Sequence, residues 1–269
     1  MDSITFALSL SFIRRALYAG MLVGFIAPLY GVFLTVRRQA LIADTLAHAA
    51  LAGVAFGALT SIPPLVAGMG AAVLSALLVE RLRARSGAAA DASLALVLSG
   101  GLALAVVLFG FAKSFNASIL SYLFGSITTV SETDLFGLLI VTLIAFVAML
   151  LCYRPWFLIT LDEKLALSQG IRVSFYNLLF AALVAAIVAV GMRVTGVLLM
   201  SALMVIPVVT AMRLRRGFVA TLIASVVFAE IAVISGLLAS YYFDLAAGGA
   251  VVLCSLALYI VISLVKSRY

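Results

Sequence analysis

Apolar runs about 20 residues long, each closed by a turn or a charged cluster, recur along nearly the whole chain, and that length suits a helix crossing the hydrocarbon of a bilayer. They fall at 16–36, 41–60, 63–80, 92–112, 134–151, 176–193, 195–212, 218–240 and 247–265. Ser61-Ile62-Pro63-Pro64 separates one pair, and Glu80-Arg81-Leu82-Arg83-Ala84-Arg85-Ser86-Gly87 separates another. Of the 269 residues, 66% are apolar and only 10% charged, too little charge to coat a water-soluble globule. The runs also lack the period-two alternation of a membrane barrel. Lipid cannot satisfy open backbone groups, so the fold class is all-α. It is a polytopic membrane helical bundle of about eight or nine transmembrane helices, and a single integral membrane domain over 1-269 leaves no room for a soluble one.

The net charge of +7 does not read as a nucleic-acid surface, because the basic residues lie between spans. If the first span exits into the cytoplasm, alternate connections place Arg37, Arg38, Arg81, Arg83, Arg85, Arg154, Lys164, Arg172, Arg213, Arg215, Arg216, Lys266 and Arg268 inside. Only Arg14, Arg15, Lys113 and Arg193 fall outside. The positive-inside rule then puts the amino terminus outside and the carboxyl terminus in the cytoplasm. Met1 to Leu10 has no positive leading stretch and no small-residue cleavage pattern, so it reads as a short interfacial helix rather than a signal peptide. Lys113 to Asp134, with its Ser, Asn and Thr residues, suggests a short helix dipping in at the outer face. Cys152 and Cys254 are far apart and form no Cys-x-x-Cys motif.

The longest cytoplasmic connection, 153-174, carries its own helix grammar. Asp162 and Glu163 complement the positive end of a helix dipole, Lys164, Leu165 and Ala166 favour helix, and Gly170 supplies a stop. A helix of about two turns is unstable alone and must lean on something. It either lies on lipid or its own bundle, or docks a cytosolic partner.

Polar chemistry concentrates in the second span. Asp44 and the chain's single histidine, His48, are one helical turn apart and share a face. Ionisable groups inside a membrane are costly, and this pair admits metal ligation by carboxylate and imidazole, or proton relay. Capping of the span by Asp44 is the structural alternative. One copy supplies too few ligands for a closed site, whereas a two-fold dimer would bring two carboxylates and two imidazoles. That set suits a borderline or hard divalent ion, and without thiolates it is a poor copper(I) site.

Glu230, near the middle of the eighth span, is a possible second polar site in the pathway, or a partner of Arg193 or of a packed backbone group. Arg193 otherwise reads as a headgroup anchor. Pro207 should kink or break its span and is a possible hinge. Gly20-x-x-x-Gly24 and Gly53-x-x-x-Gly57 permit close helix contact. No Gly-x-x-x-x-Gly-Lys-Ser/Thr loop is present to cradle ATP, there is no His-Glu-x-x-His motif, and a nucleophile triad has only one histidine to draw on. Catalysis by this chain itself is not expected, and no covalently bound cofactor is implied.

Asp44-Thr45-Leu46-Ala47-His48-Ala49-Ala50-Leu51-Ala52-Gly53-Val54-Ala55 closely resembles the signature of the membrane-spanning permeases of bacterial ATP-binding-cassette importers for zinc, manganese and iron(II). Other segments agree in order: Phe12-Ile13-Arg14-Arg15-Ala16-Leu17, Tyr122-Leu123-Phe124-Gly125-Ser126-Ile127-Thr128-Thr129-Val130-Ser131, and Asp162-Glu163-Lys164-Leu165-Ala166 with Gly170-Ile171. Gly196-Val197-Leu198-Leu199-Met200 running to Ile206-Pro207, and Ser240-Tyr241-Tyr242-Phe243-Asp244, complete the likeness. It covers nearly the whole chain. One departure is Leu245-Ala246-Ala247-Gly248, where many members carry a proline-containing turn, and Glu230 matches no family motif.

The resemblance implies a fold similar to type II ABC importer permeases and a homodimer of permeases. It implies docking to a separate cytosolic ATP-binding subunit and metal delivery by an extracytoplasmic metal-binding protein. On it, Asp44 and His48 are pathway metal ligands, and Asp162, Glu163, Lys164, Leu165, Ala166 and Gly170 form the ATPase-coupling segment. The form Asp-Thr-Leu-Ala-His leans towards zinc as transported substrate, with manganese or iron(II) as alternatives. A proton-coupled secondary carrier using Asp44, His48 and Glu230 is the competing reading.

Overall fold

The computed structural model describes residues 11–86, 90–111, 125 and 131–267. Ten helices follow in order: α1 (Ser11–Val36), α2 (Leu41–Thr60), α3 (Pro64–Ser86), α4 (Ala90–Phe111), α5 (Glu132–Leu161), α6 (Glu163–Ser168), α7 (Val173–Thr195), α8 (Val197–Met212), α9 (Phe218–Phe243) and α10 (Ala247–Ser267). Among the described residues there is no strand. Among the described residues eight helices are long and apolar enough to cross a membrane; the ninth expected span is the shorter α8. At 1.5 Å per residue its 16 residues still rise about 24 Å. The interfacial helix expected at Met1 to Leu10 and most of the outer-face segment 113–134 lie outside the described residues.

Burial sorts the helices into layers. α1, α2, α7 and α8 form the interior, with Tyr30, Phe33, Leu46, Ile187, Met200 and Leu203 fully enclosed. α3, α4, α5, α9 and α10 turn leucines, isoleucines, valines and phenylalanines outward, as a lipid-facing layer must. α2 packs on α3, α4, α7 and α8, while α9 packs on α1, α8 and α10.

Small residues set these approaches. A side chain on Gly53 or Gly57 would run into Ala67 of α3, and one on Gly20 or Gly24 would meet Val233 of α9. Both glycine pairs picked out in the sequence therefore sit at helix contacts. α7 and α8 are divided at Gly196, whose φ of +88° and ψ of 156° suit only glycine. The α9–α10 turn manages without proline: Asp244 adopts φ 51°, and Ser240 Oγ donates to the Leu245 carbonyl at 2.6 Å.

Two expectations need correction. The connection 153-174 is shorter, because α5 runs on through Arg154 and Pro155 to Leu161. Its 30 residues rise about 45 Å, beyond the hydrocarbon thickness. The extra turns are held by Trp156, which is wholly buried and donates its indole N–H to the Tyr176 carbonyl at 3.0 Å. Pro207 does not break its span: α8 continues through it to Met212.

Candidate metal pathway and coupling helix

Asp44 is the fourth residue of α2, and the residue before the helix, Ala40, offers no side-chain cap. The capping alternative is therefore not what the structure adopts. The carboxylate lies in the first turn, at the positive end of the α2 dipole, half-buried beside fully enclosed Ala43 and Ala47. His48, also half-buried, sits one turn on.

The ring orientation of His48 is fixed by the helix. Its Nδ1 lies 2.8 Å from the Asp44 backbone oxygen. A carbonyl only accepts, so Nδ1 is the donor, and in the neutral imidazole the lone pair falls on Nε2. Neither Nε2 nor the Asp44 carboxylate has a hydrogen-bond or ion-pair partner among the described residues. Thr45, between them, is occupied, donating to the Leu41 carbonyl at 2.9 Å. α2 thus presents one open imidazole nitrogen and one open carboxylate. Among the described residues no cysteine or further acidic side chain joins them as a third ligand.

Glu230 is elsewhere. It projects from α9 towards Gly24 of α1, where a methyl group added to the glycine would lie 3.2 Å from its Oε1. Its Oε2 is buried without a hydrogen-bond partner. The structure does not bring it to Asp44 and His48. Nor does it pair with Arg193, which instead binds Asp134 at 2.8 Å. Arg193 is therefore an ion-pair residue at the end of α7 rather than a headgroup anchor.

Asp134 was missed in the sequence, although its signal is there. Ser131-x-x-Asp134 is a capping box, with Asp134 N–H donating to Ser131 Oγ at 3.2 Å and Ser131 N–H to Asp134 Oδ2 at 3.3 Å. The Arg15–Glu132 pair nearby, at 3.8 Å, is much more exposed.

The corner between α5 and α7 is built around the small helix α6. Asp162 caps α6, accepting from the N–H groups of Lys164 at 2.8 Å and Leu165 at 3.2 Å. The helix ends in a Schellman motif: Gly170 N–H donates to Leu167, Ile171 N–H donates to Ala166, and Gly170 takes φ +78°. Only Ala166 is buried, against Ile159 of α5 and Val173 of α7. Glu163, Lys164, Leu165 and Leu167 face outward. The residues expected to couple to an ATPase are thus brought together on one six-residue helix and its two caps, supported from beneath.

A model of the ABC 3 transport family matches residues 9–266. The chain is 36% identical over 263 residues to a probable metal transport system membrane protein of Treponema pallidum, covering 96% of this chain and 97% of that one. It is 30% identical over 251 residues to ZnuB, the high-affinity zinc uptake system membrane protein of Haemophilus influenzae, covering 93% and 96%. Among solved structures, PsaBC from Streptococcus pneumoniae in complex with Fab superposes with a TM-score of 0.86 at 27% identity, covering 96% of this chain and 93% of that one. With the match running from the first helix to the last and the relatives spanned almost end to end, this multi-pass membrane protein belongs to the ABC 3 transport family.

Proposed function

We propose that the chain is the permease subunit of an ATP-driven importer of a divalent transition metal. The observation that supports it most directly is the α2 pair, in which a helix hydrogen bond leaves His48 Nε2 open beside the unpartnered Asp44 carboxylate. Two ligands per chain are too few for tight capture and suit a cargo that must be released. A two-fold pair of permeases facing one another across the pathway doubles the set to two carboxylates and two imidazoles. Zinc and manganese both accept such ligands.

The chain has no ATP-binding loop, so the energy comes from a separate cytosolic ATP-binding subunit docked on α6, and the metal from an extracytoplasmic metal-binding protein. Exposed Leu165 and Leu167 beside Glu163 and Lys164 give α6 the mixed apolar and charged face of a protein contact. On this reading the amino terminus is outside, and Pro207, which frees the Leu203 carbonyl within α8, is a bending point during alternating access.

The test is reconstitution of the permease with its ATPase and metal-binding protein in proteoliposomes, followed by competition among zinc, manganese and iron(II). Uptake should require internal ATP and persist when a proton ionophore is added. Uptake that collapses with the ionophore while ATP is maintained would establish the proton-coupled carrier instead.

A further inference from the structure

We propose that Arg37 is a positioning residue for transport: a strut that carries displacement of the α5–α6–α7 corner to α2 and its metal-binding pair. The proposal rests on reading α6 as the ATPase contact. Sequence reasoning counts Arg37 as one of the topology-setting cytoplasmic charges, but its guanidinium is used inside the protein.

Arg37 Nε donates to Thr160 Oγ1 at 2.8 Å, Nη1 to Asn177 Oδ1 at 3.1 Å, and Nη2 to the Trp156 carbonyl at 3.3 Å. The guanidinium carbon also lies 5.0 Å from the ring centroid of Phe180. Trp156 and Thr160 are in the last turns of α5, directly before the α6 cap Asp162. Asn177, itself buried, and Phe180 are in the opening turns of α7, directly after α6. Every one of these partners therefore flanks the small helix. Three nitrogens in one plane with three acceptors fix both position and direction, which a lysine ammonium cannot do.

The other end of the strut is the backbone. The turn from α1 into α2 is short and held by backbone hydrogen bonds: Arg38 N–H donates to Thr35 at 3.0 Å, Gln39 N–H to Leu34 at 2.8 Å, and Ile42 N–H to Gln39 at 3.0 Å. Arg38 takes φ 58°, so the turn is a Schellman-type stop despite lacking glycine. Asp44 follows two residues after Ile42. α6 packs on α5 and α7, so movement of this corner reaches α2 through helix packing or through Arg37. Of these two routes, Arg37 is the hydrogen-bonded, directional one.

The experiment uses the reconstituted complex and reads metal moved per ATP hydrolysed, with zinc and manganese as separate probes. Arg37→Lys should lower that ratio about fivefold or more, the scale of a typical coupling free energy, while the ATPase subunit co-purifies in wild-type amount. Because Arg37→Ala risks misfolding, the partner is also altered: Thr160→Val combined with Asn177→Leu keeps Arg37 and should lower the ratio similarly. Adding Arg37→Lys to that double variant should then lower it little further. A wild-type ratio in Arg37→Lys would overturn the proposal, as would loss of the ATPase subunit, because the arginine would then be shaping the docking face. The α6 reading is checked separately by Glu163→Lys, which should release the ATPase subunit where Arg37→Lys does not.

Discussion

Arg193 at the end of α7 donates to Asp134 at the start of α5 across 2.8 Å, and the same carboxylate closes the capping box with Ser131. Asp134 is only 6% exposed, and its carboxylate is held by both partners. Two helices distant in sequence are thus tied at one end of the bundle through a single side chain.

Breaking that tie should be expensive. Arg193→Ala leaves the buried carboxylate without its cation, and the expected cost is about 3 kcal/mol. Arg15→Ala, which removes the long and exposed contact to Glu132, should cost less than about 0.5 kcal/mol. Thermal unfolding midpoints in detergent distinguish the two. Equal midpoints for both variants would mean that the Asp134 pair is not a structural tie.

Asp44→Asn and His48→Ala should each abolish metal uptake. Neither side chain has another partner among the described residues, so insertion and ATPase binding should be preserved. Cellular metal content measured beside membrane abundance checks this. Normal uptake by both variants would make the pair structural.

α6 depends on its ends, because six residues cannot hold a helix by themselves. Asp162→Ala removes the acceptor of two N–H groups and should cost about 1 kcal/mol. Gly170→Ala forces a side chain into the left-handed region at φ +78° and should cost a further ~1 kcal/mol. If an ordered α6 is what the ATPase binds, each variant should weaken its affinity for the permease about fivefold. Affinities measured by surface-based binding in detergent should show both losses. Unchanged affinity would place the contact elsewhere.

Much of this architecture is legible from the residues because lipid imposes a length and a composition on each span, and Asp44 and His48 stand out against so apolar a background. The end of α5 is not legible. Arg154 and Pro155 look like a stop, and only the enclosure of Trp156 between helices keeps the chain helical beyond them. Arg37 and Arg193 are hidden for a related reason. A basic residue at a span end has the same appearance in sequence whether it faces headgroups or threads between helices, and its acceptors lie far along the chain. The glycine pairs reveal that helices approach, but not that one of them opposes Glu230.

Glu230 stands apart from the residues of the proposed pathway. Its buried Oε2 lacks a partner, and it packs on α1 rather than beside Asp44 and His48 on α2. An unpaired buried polar group costs about 1–3 kcal/mol, so Glu230→Met, which keeps the volume and removes the carboxyl, should raise the unfolding midpoint in detergent. Uptake should stay within about twofold of wild type, an effect under ~0.5 kcal/mol in transport free energy. Gly24→Ala tests the same contact from the other side: its methyl would sit 3.2 Å from Glu230 Oε1 and 3.3 Å from Val233 Cγ2, at an expected cost of about 1 kcal/mol. Part of that cost should disappear when Glu230 is also changed to Ala, and a double-mutant cycle measures how much. Should uptake instead collapse in a stably folded Glu230→Met permease, the carboxyl belongs to the transport path, and the route through the bundle must run past α9 as well as α2.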